Sequence, residues 1–274
     1  MSFKYLYKTR PAALTAKCAA GAFGTRWAAA ISLAFVLLAC APSDSEPGEI
    51  LVFAAASLAD ALQEIGSEYE ASSGARVAFS FGGSQTLAQQ VAGGAPADIV
   101  IAAGENPMQF LIDKNLVRSE PIDLLTNRLV VAVQRGADQP KTLQDLASPT
   151  FSRVAIAGPD LAPAGTYARQ ALKQLGLWEQ LQEKMVFGPD VSATLAYVES
   201  GNVDAAIVYG TDARASSRVA VLDIVPADSY SPIVYPAALV HEAPNESAAK
   251  LFLEFLEGPQ ATRIFQNFGF QPAQ

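Results

Sequence analysis

The stretch 51-LVFAAASLADAL-62 runs from a hydrophobic segment of β-strand type into a helical pattern, through three alanines and one serine. Similar short apolar runs recur along the chain, and amphipathic segments of about ten to fifteen residues separate them. Apolar strands that alternate with such helices are typical of βαβ units, in which helices cover both faces of a parallel sheet. The sequence therefore predicts an α/β fold with mostly parallel sheets flanked by helices.

The predicted strands are ILVFAA (50–55), RVAFSF (76–81), DIVIAA (98–103), RLVVAV (128–133), RVAIA (153–157), AAIVYG (205–210) and IVYPAALV (233–240). Segments 125–133 and 228–235 resemble long connections, in which turn residues precede a strand. If the chain crosses at both places, residues 49–126 and 233–274 form one lobe and residues 127–232 form the other. The prediction is a two-lobed protein with its ligand in the cleft between the lobes.

Residues 1–39 have the composition of an export signal. Five basic residues and no acidic ones precede position 40, and the apolar run Trp27–Ala39 is too short to span a bilayer comfortably. The segment Leu37–Cys40 resembles a bacterial lipobox, which predicts lipidation at Cys40 and a polar tether over residues 40–48. An ordinary signal peptide with an accidental cysteine is the alternative.

Cysteine content and charge exclude several classes of function. The only other cysteine, Cys18, lies inside the signal, so the processed chain has no free thiol for a nucleophile or a thiolate metal site. Loss of five of the 19 basic residues leaves 14 against 27 acidic ones, a net charge of −13. A nucleic-acid partner is therefore not expected, because such proteins present a basic face.

Enzymatic interpretations have little support in the sequence. His241 is the only histidine, and it follows a predicted strand where an exposed surface position is expected. The segment 82-GGSQT-86 has threonine where a nucleophile elbow needs its last glycine. Phosphate-binding and dinucleotide-binding glycine loops are absent from the sequence. Asp98 could be catalytic, but at the start of a strand it is more often a turn or cap residue. The sequence predicts no catalytic residue and no cofactor.

Four places combine a strand, a turn of small residues and the start of a helix. They are found at Ser57, Ser84, Ala164 and Val191. The first N–H groups of a helix have no intrahelical acceptor and lie at the positive end of the helix dipole, which favours anions. Each serine could equally be a routine helix cap. Four such starts spread over both predicted lobes favour one anion site that the lobes share.

None of these turns contains arginine, lysine or histidine. The donors would therefore be amides, hydroxyls and dipoles alone. Neutral donors stabilise a buried dianion only if every oxygen is satisfied, since an unsatisfied buried charge is very costly. Such a site would select its ligand by size and geometry.

From Glu49 to Phe270 the chain resembles the periplasmic molybdate-binding proteins of ABC-type importers. The resemblance rests on VFAAASLADAL, FGGSQTLAQQ, GAPADIVIAA, PAGTYARQALKQLG, DVSATLAYVESG, AAIVYG and GPQATRIFQNFGF. It implies a type II periplasmic-binding-protein fold, two lobes that close over molybdate or tungstate, and delivery to an inner-membrane ABC permease by a monomer. Matched positions imply a ligand set of Ser57, Ser84, Ala164, Val191 and Tyr209, of which Ala164 and Val191 contribute backbone amides.

The sequence departs from the family in two respects. The second turn often carries more serines in the family, whereas here Ser84 has the only hydroxyl before Thr86. Many relatives are also free in the periplasm, whereas a lipidated Cys40 would anchor this protein to a membrane.

Three other functions stay open at this point. A sulfate or phosphate receptor is the first, although protonated phosphate would need an acceptor, and the nearest acid, Asp190, is expected to cap its helix. A secreted hydrolase using Ser84 is the second, and the single histidine disfavours it. A surface lipoprotein that only binds other proteins is the third.

Overall fold

The computed structural model describes residues 49–118, 120–136 and 142–273. The export signal predicted for residues 1–39, the lipidation site Cys40 and the tether predicted for residues 40–48 lie outside these ranges.

Strands and helices alternate along most of the described chain. The strands are β1 (Ile50–Ala55), β2 (Val77–Gly82), β3 (Ile99–Ile101), β4 (Ile122–Asn127), β5 (Leu129–Gln134), β6 (Val154–Ala157), β7 (Met185–Gly188), β8 (Ala205–Tyr209), β9 (Val219–Ile224), β10 (Ile233–Leu239) and β11 (Gln271–Pro272). The α-helices are α1 (Ala59–Ser73), α2 (Ser84–Ala92), α3 (Glu105–Asp113), α4 (Pro163–Gln174), α5 (Trp178–Leu181), α6 (Val191–Glu199), α7 (Gly210–Ala215), α8 (Glu246–Glu257) and α9 (Pro259–Asn267). Short 3₁₀ turns cover Ala56–Leu58, Leu143–Ala147, Gln182–Lys184 and Ala227–Ser229.

The described strands form two sheets. The first has the order β11-β4-β10-β3-β1-β2, and the second has the order β7-β6-β8-β5-β9. The chain passes from the first sheet to the second after β4 and returns after β9. The chain crosses within 125–133 as predicted, but only Arg128 separates β4 from β5, so the long connection with turn residues is instead one extended segment.

The predicted α/β class is confirmed, with the refinement that both sheets are mixed. Strand β1 is parallel to β2 and β3, and β6 is parallel to β7 and β8. The strands next to the two crossings are antiparallel to their neighbours: β4 and β10 in the first sheet, β5 and β9 in the second. Strands β5 and β10 arrive from the other sheet with no α-helix directly before them, and each runs antiparallel to both of its neighbours. Parallel neighbours need a long crossover connection, usually an α-helix.

The pairing of parallel strands places several helix starts side by side. Ala55 at the end of β1 pairs with Gly82 at the end of β2, and Ala157 at the end of β6 pairs with Gly188 at the end of β7. In α/β sheets, ligands bind beyond the carboxyl ends of parallel strands. The turns after β1, β2, β6 and β7 lie at such ends.

Burial explains why most of the strands are apolar throughout. All five residues of β8 are buried, and the core continues from one sheet to the other. Asp98 is also buried; its carboxylate accepts hydrogen bonds from Leu51 N at 2.8 Å and Asn245 N at 2.7 Å. It therefore ties β1 to the turn before α8, which is a structural role. Within the described ranges, no helix is both long enough and apolar enough to cross a bilayer.

Candidate functional site

One cavity brings together all five residues of the predicted ligand set. It lies between the strand ends of the two sheets and is small: the space open to the centre of a water molecule is about 10 Å³. That is too small for a nucleotide or a sugar, and comparable to the room that one water molecule requires. Its lining consists of Ala55, Ala56, Ser57, Gly82, Gly83, Ser84, Ala103, Ala162, Pro163, Ala164, Asp190, Val191 and Tyr209.

Ser57 lies in the 3₁₀ turn Ala56–Leu58, directly before α1. Its hydroxyl makes no capping hydrogen bond to the turn or to α1, so the interpretation of Ser57 as a helix cap was wrong. Instead, Ser57 Oγ is 3.1 Å from the hydroxyl of Tyr235 on β10. The small residues before it leave the backbone of this turn open to the cavity.

Ser84 is the first residue of α2, and its side chain is buried. Its oxygen accepts a hydrogen bond from the backbone N–H of Ala103 at 2.9 Å. A serine hydroxyl has one proton, and an oxygen that already accepts can still donate that proton elsewhere. The contact with Ala103 therefore leaves Ser84 free to donate into the cavity.

Ala164 and Val191 lie at helix starts on the opposite side of the cavity. Ala164 is the second residue of α4, which begins with Pro163, and Val191 is the first residue of α6. Backbone N–H groups at these positions have no intrahelical acceptor. Asp190 caps α6 by accepting from Ala193 N at 2.8 Å, as the sequence predicted.

Tyr209 closes the cavity at the end of β8. Its side chain is about 1% exposed, and its hydroxyl is buried without a hydrogen-bond partner among the described residues. Burial raises the pKa of Tyr209 well above its ordinary value, and the nearby Tyr235 adds to this rise. The hydroxyl therefore stays protonated at physiological pH and can donate.

The charged side chains around the cavity are acidic. Among the residues that the structure describes, no basic one lines it, and Asp190 is the one acid in its lining. A larger neighbouring cavity shares Ala56 and Ser57 with it and is also lined by Asp60 and Asp212. Burial raises the pKa of Asp212 to about 7, and the negative charges of Asp190 and Asp60 contribute to the rise. Attraction of an anion would have to come from local dipoles.

Contacts between the two sides enclose the cavity. Gln85 Nε2 donates to Thr166 Oγ1 at 3.2 Å, and Thr86 Oγ1 lies 3.5 Å from the carbonyl oxygen of Leu161. Residues 85 and 86 belong to α2, beside the first sheet, whereas residues 161 and 166 precede or belong to α4, beside the second. The arrangement is a closed one.

Gly165 fixes how closely α4 approaches the end of β6. A Cβ at this position would overlap the carbonyl oxygen of Ala157. We expect Gly165→Ala to lower the free energy of unfolding by about 1–3 kcal/mol or more, because backbone must move to admit the methyl group. Gly82→Ala is the control, since its Cβ would meet only the Leu87 side chain at 3.4 Å. Equal denaturation midpoints for the two variants would contradict this packing.

The sequence does not indicate three residues beside the site: Asn127, Asp212 and Tyr235. They lie in β4, α7 and β10, far along the chain from Ser57, and no local motif marks them. The residues considered for catalysis are not assembled: His241 is exposed and does not line the cavity. Among the described residues, no group of three histidine, cysteine or acidic side chains could hold a metal ion.

The family model of the bacterial extracellular solute-binding proteins matches residues 50–271. The chain belongs to this family. The family consists of extracellular solute-binding proteins rather than enzymes.

Individual relatives match over nearly their whole length. The molybdate-binding protein ModA of Escherichia coli is 39% identical over 248 residues, which is 88% of this chain and 95% of that protein. YvgL of Bacillus subtilis, named as a candidate ABC transporter substrate-binding lipoprotein, is 37% identical over 86% of this chain and 94% of its own length. The periplasmic molybdate-binding protein of Azotobacter vinelandii has the same fold, with a TM-score of 0.75 at 24% identity over 82% of this chain and 100% of that one.

Proposed function

We propose that this protein is the substrate-binding component of an ABC importer and that it captures molybdate or tungstate between its two halves. The observation that carries the proposal is the chemistry of the cavity: the described residues offer it hydroxyls and helix-start amides and no basic side chain. The similarity to ModA of E. coli supports the same ligand.

The hydrogen bonds around the cavity favour an anion without protons. Ser84 accepts from Ala103 and has its proton left to donate inward, and Tyr209 has its hydroxyl proton free. Asp190, the one carboxylate that the described residues contribute to the lining, accepts through Oδ1 from Ala193 N of its own helix. A protonated phosphate would need one of these hydroxyls to accept instead of donate, so one oxygen of the anion would lose its donor; an unsatisfied buried group costs about 1–3 kcal/mol. A fully deprotonated tetrahedral dianion avoids this cost.

Sulfate is the alternative ligand because it has the same charge and shape. It is smaller than molybdate, so its oxygens would lie farther from donors that are fixed by helices α2, α4 and α6. A rigid set of neutral donors discriminates by such distances, because hydrogen bonds weaken beyond about 3.2 Å. We therefore propose that the larger oxyanions bind more tightly than sulfate.

Capture would occur by closure. Ser57 and Ser84 belong to the half built on the first sheet, and Ala164, Val191 and Tyr209 belong to the half built on the second. We propose that these halves are the lobes 49–126 plus 233–274 and 127–232. Only the closed arrangement offers an anion both donor sets, so the anion stabilises that arrangement.

The delivery route is part of the proposal. An ABC permease would receive the anion, and a lipid on Cys40 would hold the protein at the membrane surface; the name of the B. subtilis relative supports the lipid anchor. The protein would act as a monomer without a cofactor and would not catalyse a reaction.

A thermal-shift panel tests the proposed function. The purified protein is heated alone and with molybdate, tungstate, sulfate or phosphate at equal concentration. Molybdate and tungstate should raise the melting temperature most, because a ligand at 100 times its dissociation constant stabilises the folded state by about 2.7 kcal/mol. No shift with any of the four anions would contradict the proposal, and the largest shift with sulfate would favour the alternative ligand.

A further inference from the structure

A chain of hydrogen bonds leads from the place where the backbone crosses between the sheets to the hydroxyl of Ser57. It begins at Asn127, the last residue of β4. Asn127 Oδ1 accepts from the backbone N–H of Arg128 at 2.9 Å. Since a backbone N–H can only donate, this contact fixes the side-chain amide with its nitrogen on the other side.

The amide nitrogen of Asn127 then donates in two directions. One hydrogen bond goes to Tyr235 on β10 at 3.0 Å, and the other goes to Thr211 on α7 at 2.9 Å. Tyr235 belongs to the first sheet and Thr211 follows the second sheet's β8, so Asn127 joins the two halves at the crossing.

The direction of the next hydrogen bond follows from the phenol group of Tyr235. Its oxygen accepts from Asn127 on one side, and its single proton then faces its other partner, Ser57 Oγ, at 3.1 Å. Ser57 Oγ therefore accepts from Tyr235. Its own proton has no other acceptor among the described residues and remains available to the cavity.

The surrounding residues hold the Tyr235 side chain in a fixed position. Its side chain is fully buried, and its ring packs edge-on against Phe270 at 5.5 Å between centroids and against Tyr209 at 6.1 Å. Burial raises the pKa of Tyr235 well above its ordinary value, so its hydroxyl keeps its proton.

We propose that Tyr235 and Asn127 are positioning residues that make the Ser57 hydroxyl a donor toward the bound oxyanion. They do not touch the ligand themselves. Without the proton from Tyr235, the Ser57 hydroxyl could turn and donate to a protein oxygen, presenting a lone pair to the anion. This inference rests on the proposed function, because it assigns a direction to one hydrogen bond of that site.

The test is a double-mutant cycle on molybdate affinity, measured by calorimetry. Tyr235→Phe removes only the hydroxyl and should weaken binding roughly three- to tenfold, the equivalent of one hydrogen bond between neutral groups. In a Ser57→Ala background the same change should alter the dissociation constant by less than about twofold, because the group through which Tyr235 acts is gone. Equal losses in both backgrounds would mean that Tyr235 acts through general packing, and would overturn the inference.

Two further variants keep the test independent of folding defects. Tyr230→Phe is the matched control: its hydroxyl accepts from Leu129 N near the same crossing but does not contact Ser57, so any loss it causes should be equal in both backgrounds. Asn127→Ala removes the donor to Tyr235 and should also couple to Ser57→Ala; additive losses there would overturn the role of Asn127. Thermal melting without ligand establishes that each variant is folded.

The inference and the proposed function fail in different ways. If the unsubstituted protein gives no heat with molybdate, the proposed function is wrong. If that protein binds molybdate and the Tyr235→Phe variant binds it equally well, only the positioning role of Tyr235 is wrong.

Discussion

Replacement of Ser84 by alanine is expected to weaken molybdate binding by about 1.5–3 kcal/mol, the range for a hydrogen bond to a charged group. The loss of affinity is expected to be large because Ser84 is only about 2% exposed, so that no water can easily replace its hydroxyl. The substitution also removes the acceptor for Ala103 N, so the turn after β3 loses its hydrogen bond to α2. Ser57→Ala should have an effect in the same range.

Calorimetry measures this loss directly. Ser67→Ala is the matched control, since Ser67 lies on the exposed face of α1 and its hydroxyl bonds only the carbonyl of Gln63. That variant should bind molybdate as the unsubstituted protein does. If Ser57→Ala and Ser84→Ala both retained full affinity, the site assigned here would be refuted.

The second large effect is expected at Asp212. Its pKa of about 7 lies far above the ordinary value for aspartate, because burial disfavours the charged form. Between these two pKa values the folded state binds more protons than the unfolded state, so stability falls as pH rises toward 7 and the penalty is complete above it. Each pKa unit corresponds to about 1.4 kcal/mol, so Asp212→Asn should stabilise the protein by a few kcal/mol at alkaline pH.

Chemical denaturation at about pH 5 and about pH 8 tests this sign. The advantage of Asp212→Asn over the unsubstituted protein should be clearly larger at the higher pH than at the lower one. Asp123→Asn, at an exposed position on β4, should change stability little at either pH. An advantage that does not depend on pH would show that Asp212 is already ionised or already neutral throughout this range.

The parts of the fold that the sequence predicted are those with strong local patterns. Strands β1, β5, β6, β8 and β10 are largely buried, and their apolar runs match the structure to within a residue or two. Strands β4, β7 and β9 were missed because their patterns are weaker. On β7, Phe187 is exposed, and on β9, Val221 and Ile224 are exposed, so burial does not impose a clean apolar run there.

The sequence also predicted those parts of the candidate site that have a local pattern. Ser84, Ala164 and Val191 follow strand ends and begin helices, which is a local pattern. Tyr209 came from the family resemblance alone. The partners of the serines could not be predicted, because Tyr235 is 178 residues from Ser57 and nothing near either residue indicates the contact. The alternative of a cap at Ser57 fails for the same reason: its oxygen contacts a hydroxyl that lies far away in the sequence.

The most direct measurement of the central claim is a calorimetric titration of molybdate into the unsubstituted protein and into the Ser57→Ala/Ser84→Ala double variant. We expect one molybdate per chain for the unsubstituted protein, and an affinity at least about a hundredfold lower for the double variant, since two donors to a buried dianion are lost. Saturable molybdate binding of equal affinity in both proteins would contradict the claim that these hydroxyls hold the anion.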